Sequence, residues 1–271
     1  MELILYSNMA SISIIAEKSG IDRIMVDIEI LGKENRQKHL DTLVSRHKIE
    51  DVLVIRSALT KSKLQVRVNP IHKNSKQEID KVIEYGADKV MLPMFTNCDE
   101  VKHFINIVDG RAEIILLLET PQALFRVDDI LKLTGIDEIH IGLNDLCIAT
   151  GMDFMFELLL SDILKLIVDK IKNTGRKVGV GGISRIGDGV ISAKFILSEY
   201  IRLGTNVVIL SRGFYSVNKD IINTSQESQK IQSRVTALRS YICKYKNYTN
   251  KQLLYNRGQL KCEIRNYIKN K

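Results

Sequence analysis

The sequence has few cysteines, and none are placed to work together. Cys98, Cys147, Cys243 and Cys262 form no CxxC pair and have no histidines at ligand spacing. That argues against a disulfide frame or a zinc site and suits a reducing compartment. Long apolar runs are also missing. The longest, near residues 154–160, falls well short of the roughly 20 residues that cross a bilayer, so no membrane span is expected. The opening segment MELILYSNMA lacks basic residues ahead of its apolar stretch. A signal peptide is therefore not expected, and the cytoplasm is the expected location. No short-period repeat is present.

What remains is an ordinary globular composition of 271 residues, 45% hydrophobic and 27% charged. The formal net charge of +8 is unevenly placed. From Ser225 to Lys271 there are 11 Lys and Arg against 2 Asp and Glu, which leaves the rest of the chain near neutral. The overall basicity thus says nothing about a site elsewhere.

Short β-rich runs alternate with amphipathic helical stretches, the pattern of a parallel α/β fold. Strands are expected at residues 3–6, 23–29, 51–57 or 64–69, 89–93, 113–119, 138–142, 177–181 and 206–210. Helices are expected at 11–18, 34–47, 76–85, 99–108, 121–133, 154–172 and 191–203. About eight strands favour a (β/α)8 barrel, a TIM barrel, over its rival, an open doubly wound sheet. The expected barrel covers residues 1–220, and a basic helical extension covers 221–271. In that tail Ile231, Val235, Leu238, Ile242 and Tyr245 recur at alternating spacings of four and three. Such a seam packs against something.

Catalytic groups of a parallel barrel sit at the C-terminal ends of its strands. The run EIILLLET ends in Glu119, and EIHIGLND ends in Asp145. Two acids at neighbouring strand ends are the oxygen ligands that Mg2+ or Mn2+ prefers. The alternative is that each merely caps the following helix. The run LQVRVNP places Arg67 near a strand end, inside an apolar segment. It would bind a carboxylate or enolate oxygen, or else form a core ion pair. Asp27 and Glu29 alternate onto one face, expected to be the barrel interior, where Glu29 could hold a metal-bound water. Gly181, Gly182, Ser184, Arg185, Ser211 and Arg212 follow the last two strands, where anion sites occur; tight turns are the plainer explanation. Among the histidines, His39, His47 and His103 are expected on helix surfaces. His140 is expected to face the helices by its parity against Asp145, and His72 could reach the mouth.

VRVNP, GADKVMLPM, LLLET and IHIGLNDLCIATG, in this order and spacing, resemble the HpcH/HpaI aldolase and citrate lyase family. The resemblance runs from about Arg23 to Phe214. It implies a phosphoenolpyruvate/pyruvate-type barrel that makes or breaks carbon–carbon bonds beside a 2-oxo acid or a CoA ester. It implies Glu119 and Asp145 as ligands of a divalent metal (Mg2+, Mn2+ or Co2+) and Arg67 as the arginine on the 2-oxo or enolate oxygen. Gly142, Leu143 and Asn144 would flank the substrate carboxylate. Glu29 matches an acid near the metal's water shell, and Glu84 an acid of the aldolase catalytic network. The metal would act as a Lewis acid while Arg67 adds positive charge at the developing oxyanion.

One position departs from the family. The aldolase branch has a histidine immediately after the acid that Glu29 matches, and the citrate lyase branch usually a second acid. This chain has Ile30. The general base is therefore elsewhere, a metal-bound water, or absent. Three readings follow: a metal-dependent aldolase or lyase, a CoA-ester lyase, and a barrel that binds an oxo acid or sugar phosphate without cleaving it. The stretches FMFELLLSDILKLI and EYIRLGTNVVILSRGF resemble a branch from bacterial surface-polysaccharide clusters, which implies a sugar-derived or phosphorylated partner. The tail is expected to join subunits into a homo-oligomer, as in the family, and to contact no nucleic acid.

Overall fold

A computed structural model describes residues 1–33, 47–215 and 224–271, with the side chains of Arg212 and Thr224 left aside. Its eight strands are β1 Glu2–Tyr6, β2 Arg23–Asp27, β3 Lys63–Arg67, β4 Lys89–Leu92, β5 Glu113–Leu118, β6 Glu138–Ile141, β7 Lys177–Ile183 and β8 Val207–Leu210. They pair in chain order, and β8 pairs in parallel with β1, so the sheet closes into a barrel. Closure excludes the open-sheet alternative.

Residues 49–58 are a helix, Ile49–Ala58, and the third strand is the later of the two candidates. The run VLVI suits either element by composition. The helix buries Val52 and Ile55, three residues apart, and leaves Leu53 and Val54 exposed, and Asp51 Oδ2 accepts the Lys48 N–H at its start (2.8 Å). The helix expected over 121–133 breaks at Arg126 into Pro121–Phe125 and Val127–Leu131. The stretch 154–172 begins as a 3-10 turn, Met155–Leu160, before the helix Asp162–Asn173. The helix expected over 34–47 lies outside the described residues except for His47, and His39 lies outside them altogether. His47 is half-buried rather than on a helix surface, and its Nδ1 accepts the backbone N–H of Asp27 (3.0 Å).

The barrel interior is tiered. At the N-terminal ends of the strands Arg23 is sealed from solvent and forks onto Glu138 through two hydrogen bonds of 3.0 and 2.7 Å. It also pairs with Glu2, and Lys89 pairs with Glu113. Above this lies an apolar tier of Ile4, Met25, Met91, Ile115, Leu117, Val207 and Ile209. Above that opens the mouth.

His140 belongs to this interior, not to the helix side. Its ring fills the space over Gly179 of β7, where a Cβ would collide with it. Its Nε2 lies 2.8 Å from the Gly181 carbonyl, which can only accept, so Nε2 carries the proton. Parity against Asp145 misleads because β6 ends at Ile141 and the helix Leu143–Thr150 begins before Asp145. Strand alternation does not extend into a helix.

The tail forms two helices, Thr224–Lys246 and Asn250–Lys269. The seam residues Ile231, Val235, Leu238, Ile242 and Tyr245 are all buried in the chain's own core. Each contributes roughly 1.5–3 kcal/mol. Arg239 donates to the Met1 and Gly20 carbonyls (both 2.8 Å), and Asn256 donates to Ser198 Oγ (2.9 Å). The seam expected to join subunits is thus already covered by this chain's barrel. Among the described residues no helix is long and apolar enough to cross a membrane.

The buried Arg23–Glu138 pair sets a stability test. Arg23→Met should cost about 3–5 kcal/mol in urea unfolding, because it strands a buried carboxylate. Adding Glu138→Leu should recover a large part of that loss. A small effect from Arg23→Met alone would show that the interior tier is hydrated.

Candidate active site

The mouth is built from residues at the C-terminal ends of β2, β3, β5 and β6. Asp27 closes β2, Arg67 closes β3, and the two are register partners across the pair. Arg67 grips Asp27 with two parallel hydrogen bonds, Nε to Oδ1 at 2.8 Å and terminal nitrogen to Oδ2 at 2.7 Å. Arg67 Nε also lies 3.4 Å from Glu29 Oε2, and the guanidinium lies 5.9 Å from the centre of the Tyr6 ring. Burial opposes the charge on Arg67, but Asp27, Tyr6 and Glu29 outweigh it and hold the guanidinium more firmly protonated than usual. Burial likewise opposes the charge on Asp27, yet Arg67 and Lys33 hold its carboxyl far below the usual range.

Lys33 is a member of this cluster that pattern reading missed. It is 2% exposed. Its Nζ donates to Asp27 Oδ2 at 2.8 Å and lies 3.5 Å from Glu29 Oε2. A turn delivers it there: the Lys33 N–H bonds the Ile30 carbonyl (3.2 Å), and Gly32 takes a positive φ of 73°. A third turn residue in that conformation favours glycine. Asn69 Oδ1 pins the turn by accepting the N–H groups of Ile30 and Leu31 (2.9 and 3.0 Å). Glu78 in turn holds Asn69 through its N–H and its side-chain amide (2.9 and 2.7 Å). His72 lies against the same Glu78, at 3.5 Å, so it supports the loop. Ile30 itself is 60% exposed.

Glu119 follows β5 and is 3% exposed. It does not cap the next helix; Thr120 does, accepting the Ala123 N–H (3.2 Å). Glu119 Oε1 accepts the N–H of Met94 (3.1 Å), a non-glycine residue held at φ 55°. Such a backbone costs on the order of 1–3 kcal/mol and concentrates at functional sites. Gly142 leaves Glu119 its room: a Cβ there would come 2.7 Å from Glu119 Cβ and 2.8 Å from Oε2. Burial foremost, then the charge of Asp145, raises the Glu119 pKa well above the usual carboxylate value. Asp145 lies in the first turn of the Leu143–Thr150 helix, beside Asn144 and the buried Leu143.

The donor set fits a hard divalent cation in one specific sense. Among the described residues no group of three or more His, Cys, Asp or Glu is placed to hold a metal. Glu119 and Asp145 make a pair, which suits Mg2+-like ions that take one or two carboxylates and complete their shell with substrate and water.

Other expected site residues lie differently. Glu84 is exposed and ends the helix Ser75–Glu84, which precedes β4, so it sits at the opposite end of the barrel from the mouth. It is not part of the catalytic network. Gly181, at φ 53°, packs so closely on Leu143 and Tyr200 that a Cβ would clash, and Tyr200 donates to the Gly182 carbonyl (2.9 Å). Close packing accounts for both glycines. Ser184 Oγ donates to the Asp188 carbonyl (3.0 Å), and Arg185 turns onto the Asp188 carboxylate (2.7 Å), both within their own loop. Ser211 continues from β8, its N–H on the Ile183 carbonyl (2.8 Å), and Arg212 follows it in a short 3-10 turn.

The fold is thus a closed (β/α)8 barrel whose mouth holds the buried Glu119 close to Asp145 and the buried Arg67. The family profile for HpcH/HpaI aldolase/citrate lyase matches residues 2–186, and the chain belongs to that family. A search of curated proteins finds no relative matching in sequence. Solved structures share the fold. An HpcH/HpaI aldolase from Desulfitobacterium hafniense DCB-2 is 14% identical with a TM-score of 0.54, covering 78% of this chain and 85% of its own. An HpcH/HpaI aldolase/citrate lyase family protein from Burkholderia cenocepacia J2315 is 15% identical with a TM-score of 0.60, covering 88% and 93%. A variant of the citrate synthase SbnG is 14% identical with a TM-score of 0.53, covering 88% and 93%.

The raised pKa of Glu119 has a measurable sign in metal-free protein. A carboxyl that binds its proton more tightly when folded stabilises the fold fully below its unfolded pKa, near 4.5, and that contribution is lost as pH rises through the folded value. Glu119→Gln should remove this loss. Its melting temperature in chelator should fall less between pH 5 and pH 8 than that of the wild type; parallel curves would contradict the assignment.

Proposed function

We propose that this HpcH/HpaI aldolase/citrate lyase-type enzyme uses a divalent metal to enolise a pyruvate-like 2-oxo acid and join it to, or release it from, a carbonyl partner. The observation that supports this most is the electrostatic state of Glu119: a buried carboxyl beside a second carboxylate, which ionises at low cost only when a cation arrives. HpcH/HpaI aldolases generally use divalent metals. Glu119 and Asp145 would hold the ion, which when bound would supply Lewis acidity toward the carboxylate and oxo oxygens of the substrate.

The chain's own groups do the rest. Arg67 is held by Asp27, so its remaining N–H donors are oriented without cost at the moment of reaction. They would stabilise negative charge developing on the 2-oxo oxygen. Glu29, beside Arg67 and Lys33, would orient a water at the ion. Leu143 and Asn144, opening the helix after β6, would present its N-terminal end to the substrate carboxylate. The low-dielectric surroundings strengthen each of these interactions.

The half-reaction needs no knowledge of the partner. With Mn2+ or Mg2+ the wild type should exchange the methyl protons of pyruvate for deuterium in D2O, read by mass spectrometry. Glu119→Gln and Asp145→Asn should each slow exchange by at least about 100-fold. Absence of exchange with every divalent metal tested would overturn the proposal.

A further inference from the structure

The site needs a group that takes a proton from carbon, and Ile30 stands where the family has its histidine. We propose that Lys33 is that general base. The inference rests on the enolising reading above and adds the residue that performs the proton transfer.

Geometry carries the argument. Lys33 Nζ and the Arg67 guanidinium both donate to one oxygen, Asp27 Oδ2, at 2.8 and 2.7 Å. Both also approach one oxygen of Glu29, at 3.5 and 3.4 Å. Lys33 therefore stands beside the arginine proposed to meet the substrate. The Ile30–Lys33 turn, with Gly32 at positive φ and two N–H groups capped by Asn69, fixes that position.

The two cations differ in what they can release. Arginine does not deprotonate in proteins, whereas a buried lysine readily does. Among the described residues, the charged groups facing Lys33 are Asp27 from β2, Glu29 just beyond it and Arg67 from β3. Burial first, then Arg67, lowers the Lys33 pKa from its ordinary value, and the two carboxylates reverse this only in part. Glu119 and Asp145 lie farther round the mouth, on the elements that follow β5 and β6.

The step balances as follows. The neutral Lys33 amine forms an N–H bond to a methyl proton of the 2-oxo acid as the C–H bond breaks. The C–H electron pair becomes the C2–C3 double bond, and the carbonyl pair moves onto the 2-oxo oxygen facing Arg67. In reverse, the ammonium returns a proton, which has exchanged with solvent, to C3.

The test uses full-length wild type, Lys33→Met and Lys33→Arg, each with Mn2+ and pyruvate. Folding is checked by melting temperature, and pyruvate binding by its effect on Mn2+ relaxation of solvent water. Deuterium entry into pyruvate reports exchange. Both variants should bind pyruvate within about three-fold of wild type and lose about 100-fold or more in exchange. Wild-type exchange should rise with pH and level off below the ordinary lysine value near 10.4. Recovery of exchange in Lys33→Arg would show that only a cation is needed and would overturn the proposal. Retained exchange in Lys33→Met would do the same, as would loss of exchange only in parallel with binding. Wild type that binds pyruvate but exchanges no protons would bring down the enolising reading itself, and the base with it.

Discussion

A carboxyl group sealed inside a barrel ionises at low cost only if positive charge comes with it. Glu119 is in that position. It is buried, the charge of Asp145 raises its pKa further against the opposing pull of Arg67, and the N–H of Met94, a non-glycine residue at positive φ, donates to it. Gly142 is small because Glu119 stands over it. The ends of β4, β5 and β6 are thus arranged around one buried carboxyl whose pKa is raised well above the usual value.

On the other side of the mouth, among the described residues, Asp27 and Glu29 face Arg67 and Lys33 within hydrogen-bond or ion-pair distance. These contacts orient the groups. The Asn69–Glu78–His72 chain and the His47 contact to Asp27 hold the loops that carry it. Buried polar groups fixed in this way have their largest effect on charge that develops during a reaction.

Much of the scaffold was legible from pattern alone, because a barrel repeats one unit. Apolar runs mark strands, and the residues that end them mark the mouth. Glu119, Arg67, Asp27 and Glu29 were found that way. Three positions differ from expectation, for separate reasons. His140 was turned outward by counting through the start of a helix. Glu84 comes from the family resemblance alone, and the helix that carries it ends at the far side of the barrel. Lys33 sits in a polar segment, GKEN, that reads as solvent-exposed, and only the Gly32 turn returns it to the interior. The run VLVI at residues 52–55 was ambiguous for a different reason. Both a strand and a helix can bury half of it, and tertiary packing chose the helix.

The alternating apolar positions of the tail pack on the chain's own barrel. Ile231, Val235, Leu238, Ile242 and Tyr245 close over the first helix and the helix after β7, and Arg239 ties the tail to the N-terminus. The central claim is that Glu119 exchanges its proton for a metal ion. It is tested most directly by titrating the protein with Mn2+ near neutral pH in two buffers of different ionisation enthalpy. Saturable binding that releases close to one proton, reduced to near zero in Glu119→Gln, is the predicted result. Binding of equal strength in both proteins, with no proton released, would contradict the account.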